Sequence, residues 1–215
     1  MNQLKRAVLF CNGELNNRDF HIALLKKDDF IIAVDGGGNH CQNLGIKPNL
    51  ALGDFDSLAL NTLNFYRENQ VETLSYPCDK DYIDLALGIE EAIKRNYEEI
   101  IILGALGGKR RDMELGNILL LSKYKKDITI INENTSIKMM YPRKKLVINN
   151  EKNKYFSLIP LSKKVVTGES HGLKYQLLDL EFTFGETRSI SNEILANKCQ
   201  VILKSGEALG ICQKK

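Results

Sequence analysis

Two acidic loops hold the residues best suited to chemistry. Asp54 and Asp56 stand at i and i+2 in Gly53-Asp54-Phe55-Asp56-Ser57, directly after the apolar run Leu50-Ala51-Leu52. An extended backbone sends alternate side chains the same way, so the two carboxylates share a direction. A second knot, Asp79-Lys80-Asp81-Tyr82-Ile83-Asp84, follows about one strand–helix unit later, and Asp35 and Asp112 bring the potential set to seven acids. Two like charges about 4 Å apart repel by about 4 kcal/mol at an effective dielectric near 20. That is a large share of the roughly 5–15 kcal/mol holding a domain together, so such a cluster needs protons or cations. All-oxygen donors without histidine select a hard ion, and Mg²⁺ suits one to three carboxylates completed by water and phosphate oxygens. Taken singly, each Asp has an ordinary alternative as a helix N-cap or Asx-turn. That alternative suits Asp79 and Asp112 and explains the Asp54–Asp56 pair poorly, since one helix needs one cap.

The opposite charge lies in Gly104-Ala105-Leu106-Gly107-Gly108-Lys109-Arg110-Arg111-Asp112. Its glycines permit close backbone approach. A helix starting near Asp112 would offer free N–H groups to an anion, and Lys109, Arg110 and Arg111 could pair with phosphate oxygens. On its own, Gly-Gly-Lys-Arg is equally an ordinary surface turn. No GxxxxGK[ST] and no GxGxxG after a strand occurs, so this is neither a P-loop nor a dinucleotide fingerprint. Acidic loops facing a basic glycine loop describe a site for Mg²⁺ and a polyphosphate.

Positioning falls to an alternation of short apolar runs and amphipathic segments, which predicts an α/β domain with a mostly parallel sheet and flanking helices, Rossmann-like, over residues 1–134. Strands are expected at 7–10, 30–34, 50–52, 71–74, 100–103 and 128–131, and helices at 19–26, 39–44, 60–68, 84–95 and 112–124. In the helix from Asp84, the residues Leu85, Ile89, Ala92 and Ile93 share one face. Glu90/Lys94 and Glu91/Arg95 form i,i+4 pairs opposite, and Asp84 suits the cap. Val34 leads into Asp35-Gly36-Gly37, Leu52 into 53–57, Leu74 into the second acidic loop and Leu103 into the glycine loop. In a parallel sheet all four loops leave at the carboxyl edge, where open α/β folds bind ligands. Beyond about Asn132 helical periodicity fades. Short β-rich runs at 136–141, 145–148, 155–160, 164–167, 173–177, 181–184, 201–204 and 208–212 predict a β-sandwich domain over 135–215. Tyr155, Phe156, Tyr175, Phe182 and Phe184 read mostly as its core.

Composition removes other classes. Of 215 residues 43% are hydrophobic, ample for a packed core, and 30 basic against 27 acidic residues argue against a nucleic-acid partner. The short basic runs Arg143-Lys144-Lys145 and Lys163-Lys164 read as solvated turns. No apolar run nears membrane-spanning length, and the start of the chain lacks a signal-peptide core, so the expectation is a soluble cytoplasmic protein without a membrane partner. Five cysteines (Cys11, Cys41, Cys78, Cys199, Cys212) show no CxxC and no zinc spacing, which suits reduced thiols. Cys78 abuts the second acidic loop, where carboxylates raise a thiol pKa and oppose a nucleophilic role. His21 reads as surface or packing, and His40 and His171 stand singly.

In order and spacing these motifs resemble the thiamine pyrophosphokinase (thiamine diphosphokinase) family. The resemblance rests on Asp35-Gly36-Gly37, residues 53–57, Asp79 to Asp84, and Gly104-Ala105 through Arg110-Arg111-Asp112 to Leu115-Gly116-Asn117. It is joined by Ser157-Leu158-Ile159-Pro160, Gly172-Leu173-Lys174-Tyr175 and Ser189-Ile190-Ser191-Asn192-Glu193 in the second domain. It implies transfer of the diphosphoryl group of ATP to the hydroxyl of thiamine, giving thiamine diphosphate and AMP, by a homodimer with active sites between subunits. It implies Asp54, Asp56 and Asp84 as Mg²⁺ ligands, with Arg110 and Asp112 as catalytic partners. Asp35, Gly36, Gly37, Asp81, Gly108, Lys109 and Asn117 would lie around ATP, and Tyr175, Ser189, Ser191 and Asn192 around thiamine. Asp84 or Asp112 would accept the hydroxyl proton. The chain departs from the family pattern at Ile83, where Thr is usual, at Met113, where His or Gln is common, in a glycine loop one residue longer, and at Tyr175, often Trp. A Mg²⁺-dependent phosphohydrolase is the alternative, since Asp-Phe-Asp-Ser resembles haloacid-dehalogenase loops, although here the loop follows the third strand rather than the first. A non-catalytic nucleotide-binding module is another.

Overall fold

A computed structural model describes residues 5–79 and 81–215, so the first four residues and Lys80 of the second acidic loop lie outside the description. The chain divides into two units, one ending at Glu133 and the other spanning Asn134–Lys215.

The first unit alternates strand and helix throughout: β1 (Arg6–Phe10), α1 (Arg18–Leu24), β2 (Phe30–Val34), α2 (Gly37–Leu44), β3 (Leu50–Gly53), α3 (Leu60–Glu68), β4 (Glu72–Ser75), α4 (Asp84–Lys94), β5 (Glu99–Leu103), α5 (Arg111–Leu120) and β6 (Asp127–Ile131). Its strands run parallel in the order β6-β5-β1-β2-β3-β4. Parallel strands are covered on both faces, which is why β1, β2 and β5 read as continuous apolar runs. Val8, Phe10, Ile31, Ala33, Ile101 and Leu103 pack with Cys41, Leu58, Tyr66 and Val71 on one face. Against the opposite face α4 lies close, because Gly88 has no side chain: a Cβ there would fall 2.9 Å from Val34 Cγ2 and 3.2 Å from Leu9 Cδ2. The sheet grows from β1 toward β4 on one side and through β5 to β6 on the other. The switch in direction lies between β1 and β5.

Helix boundaries depart from the sequence pattern in two places that bear on the site. Ile83, not Asp84, occupies the cap position of α4 and makes no side-chain cap bond, so Asp84 falls in the first turn. The expected helix at 112–124 ends as α5 at Leu120, followed by a 3-10 turn at Leu121–Lys123. Lys123 then takes Glu90 (2.9 Å), while Arg95 pairs with the buried Glu91 (2.8 Å) and with Glu72. The anticipated Glu90–Lys94 pair is therefore replaced by a tie from α4 to the turn after α5.

The second unit is antiparallel: β7 (Thr135–Met140), β8 (Lys145–Asn149), β9 (Tyr155–Pro160), β10 (Lys164–His171), β11 (Glu181–Thr183), β12 (Asn192–Glu193), β13 (Lys198–Ser205) and β14 (Ala208–Gln213). One layer runs β12-β9-β14-β7 and the other β11-β10-β13-β8. Strict alternation along β9 points Phe156 and Leu158 into a core shared with Val165, Phe182, Val201 and Leu203. The expected strand at 173–177 is absent. Gly172 turns the chain at φ +82°, Leu173 makes a single bridge to Ile194, and the rest is an irregular loop that buries Leu173 and Leu177 while leaving Tyr175 between them exposed. Of the aromatics assigned to this core, Phe156 and Phe182 are buried, whereas Tyr175 and Phe184 are 64% and 69% exposed.

Candidate active site

A cavity of about 320 Å³ opens at the carboxyl edge of the parallel sheet. It is lined by Cys11, Asn12 and Gly13 after β1, Val34 and Asp35 after β2, and Asp84 and Leu85 at the start of α4. The glycine loop after β5 and Met113, Glu114 and Asn117 on α5 complete the wall. This is the switch point between β1 and β5, where loops diverge and open α/β sheets take ligands. The floor is backbone: Cys11 N donates to Leu103 O (2.8 Å) and Gly13 N to Gly104 O (2.6 Å). Gly104 sits at φ +68°, and a Cβ there would fall 2.3 Å from Cys11 O. Only glycine lets the two loops approach so closely.

Asp35, at φ +47°, receives a hydrogen bond from Ser57 Oγ (2.8 Å), and its Oδ1 is buried without a partner. Burial pushes its carboxyl up, against the Gly36 N–H and the Ser57 hydroxyl; the charges of Asp84 and Asp54 add to the rise. Ser57 Oγ also lies 2.9 Å from Asp56 Oδ1. One hydroxyl proton serves one carboxylate at a time, so Ser57 links the acids after β2 and β3 without satisfying both. Asp54 Oδ1 accepts from Asp56 N (3.1 Å), and Phe55 between them takes φ +64°, so the segment is turned rather than extended as expected from the i, i+2 spacing. Oxygens of Asp54 and Asp56 and the thiol of exposed Cys78 lie within 4.8 Å of one another. Asp84 faces the cavity instead, where its charge acts on Asp35 and on Cys11. Burial, then Asp84, then Asp35 push the Cys11 thiol to about 12, so it stays protonated and unreactive at neutral pH.

The seven-acid cluster does not assemble. Asp79 and Asp81 are exposed, and Asp81 does not line the cavity. Asp112 is exposed too and is gripped by Arg110, whose Nε and Nη2 reach its oxygens at 2.9 and 2.6 Å. The Arg110 hydrogen bond holds the Asp112 carboxyl at about 2, well below the usual range. Spreading the acids this way removes most of the repulsion that made a seven-fold cluster untenable.

Gly108, Lys109, Arg110 and Asn117 all line the cavity, while Gly36 and Gly37 serve packing. A Cβ on Gly37 would fall 1.9 Å from Phe10 O, and one on Gly36 would fall 2.4 Å from Asn12 Cγ. Several supports were not foreseen. Glu14 Oε1 accepts from Gly108 N (3.0 Å) and Glu114 Oε1 from Gly107 N (3.2 Å), so two glutamates brace the glycine loop. Asn39 ties α2 to the first acidic loop through Ser57 O (3.0 Å) and the Ala59 N–H (3.1 Å). Cys11-Asn12-Gly13-Glu14 was findable by the rule applied to the other loops, since it too follows an apolar strand of the parallel sheet.

In the second unit, Ser189 and Asn192 are buried and committed inward. Ser189 Oγ donates to Leu158 O (2.5 Å). Asn192 Oδ1 accepts from Tyr175 N (3.0 Å) while its Nδ2 donates to Tyr175 O (2.6 Å). The Tyr175 ring therefore stands out from a backbone clamped on both polar groups, with the Lys174 ammonium 5.6 Å from its centroid. Ser191 is exposed at φ +61°, its N–H donating to Ser157 Oγ (3.0 Å).

Residues 22–132 match the family model described as thiamin pyrophosphokinase, catalytic domain. Residues 144–208 match thiamin pyrophosphokinase, vitamin B1 binding domain. A thiamine pyrophosphokinase of Bacillus subtilis (strain 168) is 34% identical over 170 residues, covering 78% of this chain and 79% of that protein. Thiamin pyrophosphokinase 1 of Caenorhabditis elegans is 28% identical over 220 residues, covering 94% and 86%. The crystal structure of the Bacillus subtilis thiamine pyrophosphokinase overlays this chain with a TM-score of 0.86 at 28% identity, over 98% of this chain and 100% of that one.

Proposed function

The chain belongs to the thiamin pyrophosphokinase family, and on that premise we propose that its parallel-sheet unit (residues 1–134) takes Mg-ATP while its antiparallel unit (135–215) takes thiamine. It is an enzyme of ATP-dependent thiamine diphosphate formation. The observation that carries the assignment of roles is the cavity between β1 and β5, walled by Asp35 and Asp84 on one side and by the loop of Gly108, Lys109 and Arg110 on the other. In the reaction the thiamine hydroxyl oxygen bonds to the β-phosphorus, the bond from that phosphorus to the α–β bridging oxygen breaks, and AMP leaves. Such transfer asks the protein mainly for positioning and charge neutralisation.

Asp54 and Asp56 fit Mg²⁺: they supply hard oxygen donors close together, and the neighbouring Cys78 thiol is too soft to compete for that ion. When bound, Mg²⁺ would neutralise charge on the transferring phosphates; Asp84, the third ligand that the resemblance implies, lies outside the Asp54–Asp56–Cys78 group and faces the cavity. Lys109 and Arg110 grip phosphate oxygens, with Arg110 exchanging Asp112 for the substrate. Of the two candidate bases, Asp84 lines the cavity, whereas Asp112 is weakened as a base by its bond to Arg110. Asp84 is the better acceptor of the hydroxyl proton. Tyr175 and Ser191 meet thiamine directly, with Ser189 and Asn192 holding the surface beneath them.

A homodimer with active sites between subunits is part of the same proposal. Apolar surface left open within each unit supports it: Leu115 and Leu119 on α5 are 58% and 44% exposed, and Tyr175 is exposed in the second unit. No helix among the described residues is long and apolar enough to cross a membrane. None of the five cysteines, all among the described residues, is joined in a disulfide, which suits the reducing cytoplasm. The phosphohydrolase and non-catalytic readings are not favoured, because the matches to the two family models cover both units. Purified protein given ATP, Mg²⁺ and thiamine is expected to form AMP and thiamine diphosphate in equal amounts. ADP or free phosphate as the main product would overturn the assignment.

A further inference from the structure

We propose that Asn117 reads the nucleoside part of the bound nucleotide, its side-chain carbonyl accepting a hydrogen bond from an N–H or O–H of the ligand. Asn117 is the buried residue of α5 and borders the cavity, with 8% of its surface exposed. The orientation of its amide is fixed, because Nδ2 donates to Ala105 O at 3.0 Å. That leaves Oδ1 as the acceptor, and Oδ1 is buried without a partner. A buried amide oxygen is unfavourable until a donor meets it, so a ligand that brings one gains affinity here.

The group that meets Oδ1 must carry a hydrogen, and ionised phosphate oxygens carry none. Position supports the same conclusion. Phosphates are drawn to the start of α5, where Lys109 and Arg110 border the cavity. Asn117 lies six residues into that helix, about 9 Å along its axis at 1.5 Å per residue. Cys11, Val34, Leu85, Ala105 and Met113 supply the apolar wall that a base or sugar needs and a phosphate does not. Two parts of ATP bear suitable donors, the exocyclic amine of adenine and the ribose hydroxyls. A site built to hydrogen-bond a donor rejects analogues that lack it, so Asn117 sets a preference among nucleotides.

This inference rests on the nucleotide reading of the cavity, and calorimetric titration separates the two without relying on turnover. ATP is compared with purine riboside triphosphate, which lacks the amine, and with 2′-deoxy-ATP and 3′-deoxy-ATP, in the wild type, Asn117→Leu and Asn117→Asp. The wild type is expected to bind one analogue about tenfold more weakly than ATP, the purine analogue if the base donates and a deoxy analogue if the ribose does. Asn117→Leu is expected to bind that analogue and ATP alike. Asn117→Asp keeps an acceptor oxygen and is expected to keep the discrimination, even with weaker binding overall. Equal binding of all four nucleotides by the wild type, or discrimination that survives in Asn117→Leu, overturns the role of Asn117 while leaving the cavity a nucleotide site. Absence of ATP binding overturns both. If Asn117→Leu does not fold, the wild-type series and Asn117→Asp decide, and loss of discrimination in the aspartate variant counts against the proposal.

Discussion

Replacing Gly104 with alanine tests whether the backbone contact between β1 and β5 builds the site. The new Cβ would stand 2.3 Å from Cys11 O, and the next nearest atom, Cys11 C, lies at 3.1 Å. Both are main-chain atoms, so no side-chain rotation relieves the clash. Restoring an ordinary contact of about 3.5 Å requires the two loops to part by about 1 Å. The 2.6 Å bond from Gly13 N to Gly104 O would then exceed hydrogen-bonding range. Its net loss costs about 0.5–1.5 kcal/mol. Holding a non-glycine residue at φ +68° adds about 1–2 kcal/mol. Together these give about 1.5–3.5 kcal/mol, or a fall in melting temperature of roughly 3–14 °C for a chain of this size. Because the displaced loops line the cavity, ATP kinetics should suffer as well; a 1 Å error in a positioning element can cost as much as about a hundredfold. Gly108→Ala is the matched control, with φ +83° but no atom within 4 Å of the added Cβ. Thermal melts, measured on both variants, decide. Equal melting temperatures for the two variants would refute the reasoning.

Asp54→Asn and Asp56→Asn are expected to fold normally and to lose at least about a hundredfold in kcat with its Mg²⁺ dependence; near-wild-type rates in either would remove that residue from the metal set. His21 is fully buried, neither ring nitrogen has a hydrogen-bond partner, and burial, with a smaller push from His40, holds its pKa down against the pull of Glu133 3.8 Å away. With the folded pKa below the unfolded one, the native state resists the proton that the unfolded chain accepts. Stability is therefore present above about pH 6.5 and declines as pH falls below it. Melts between pH 7.5 and 5 should fall less steeply in His21→Leu, and unchanged slopes would contradict the assignment. Asn192→Ala removes both side-chain bonds to the Tyr175 backbone and should cost about 1–3 kcal/mol. It should raise the KM for thiamine more than that for ATP, and equal changes in the two would argue against a role through Tyr175.

The α/β unit was readable because hydrophobic runs and helical periodicity carry local information. The runs through Phe10, Val34, Leu52 and Leu103 mark buried parallel strands, and the loops after them converge by topology. Long-range facts left no such local trace. Nothing near Glu90 foretells its partner Lys123, 33 residues away. Glu14 reaches Gly108 across 94 residues of chain. Leu173 and Leu177 mimic a strand because both are buried, yet Gly172 and the bonds from Asn192 shape a loop between them. Tyr175 and Phe184 were placed in the core by aromatic character alone, which does not tell an inward residue from one presented to a ligand or partner.

The most direct measurement is a crystal structure with Mg²⁺, thiamine and α,β-methylene-ATP, in which the bond that must break is replaced by one that cannot. The nucleotide is expected in the cavity between β1 and β5, its phosphates against Lys109 and Arg110, and Mg²⁺ about 2.1 Å from oxygens of Asp54 and Asp56. A nucleotide seated elsewhere, or a metal ion that touches neither carboxylate, would contradict this assignment.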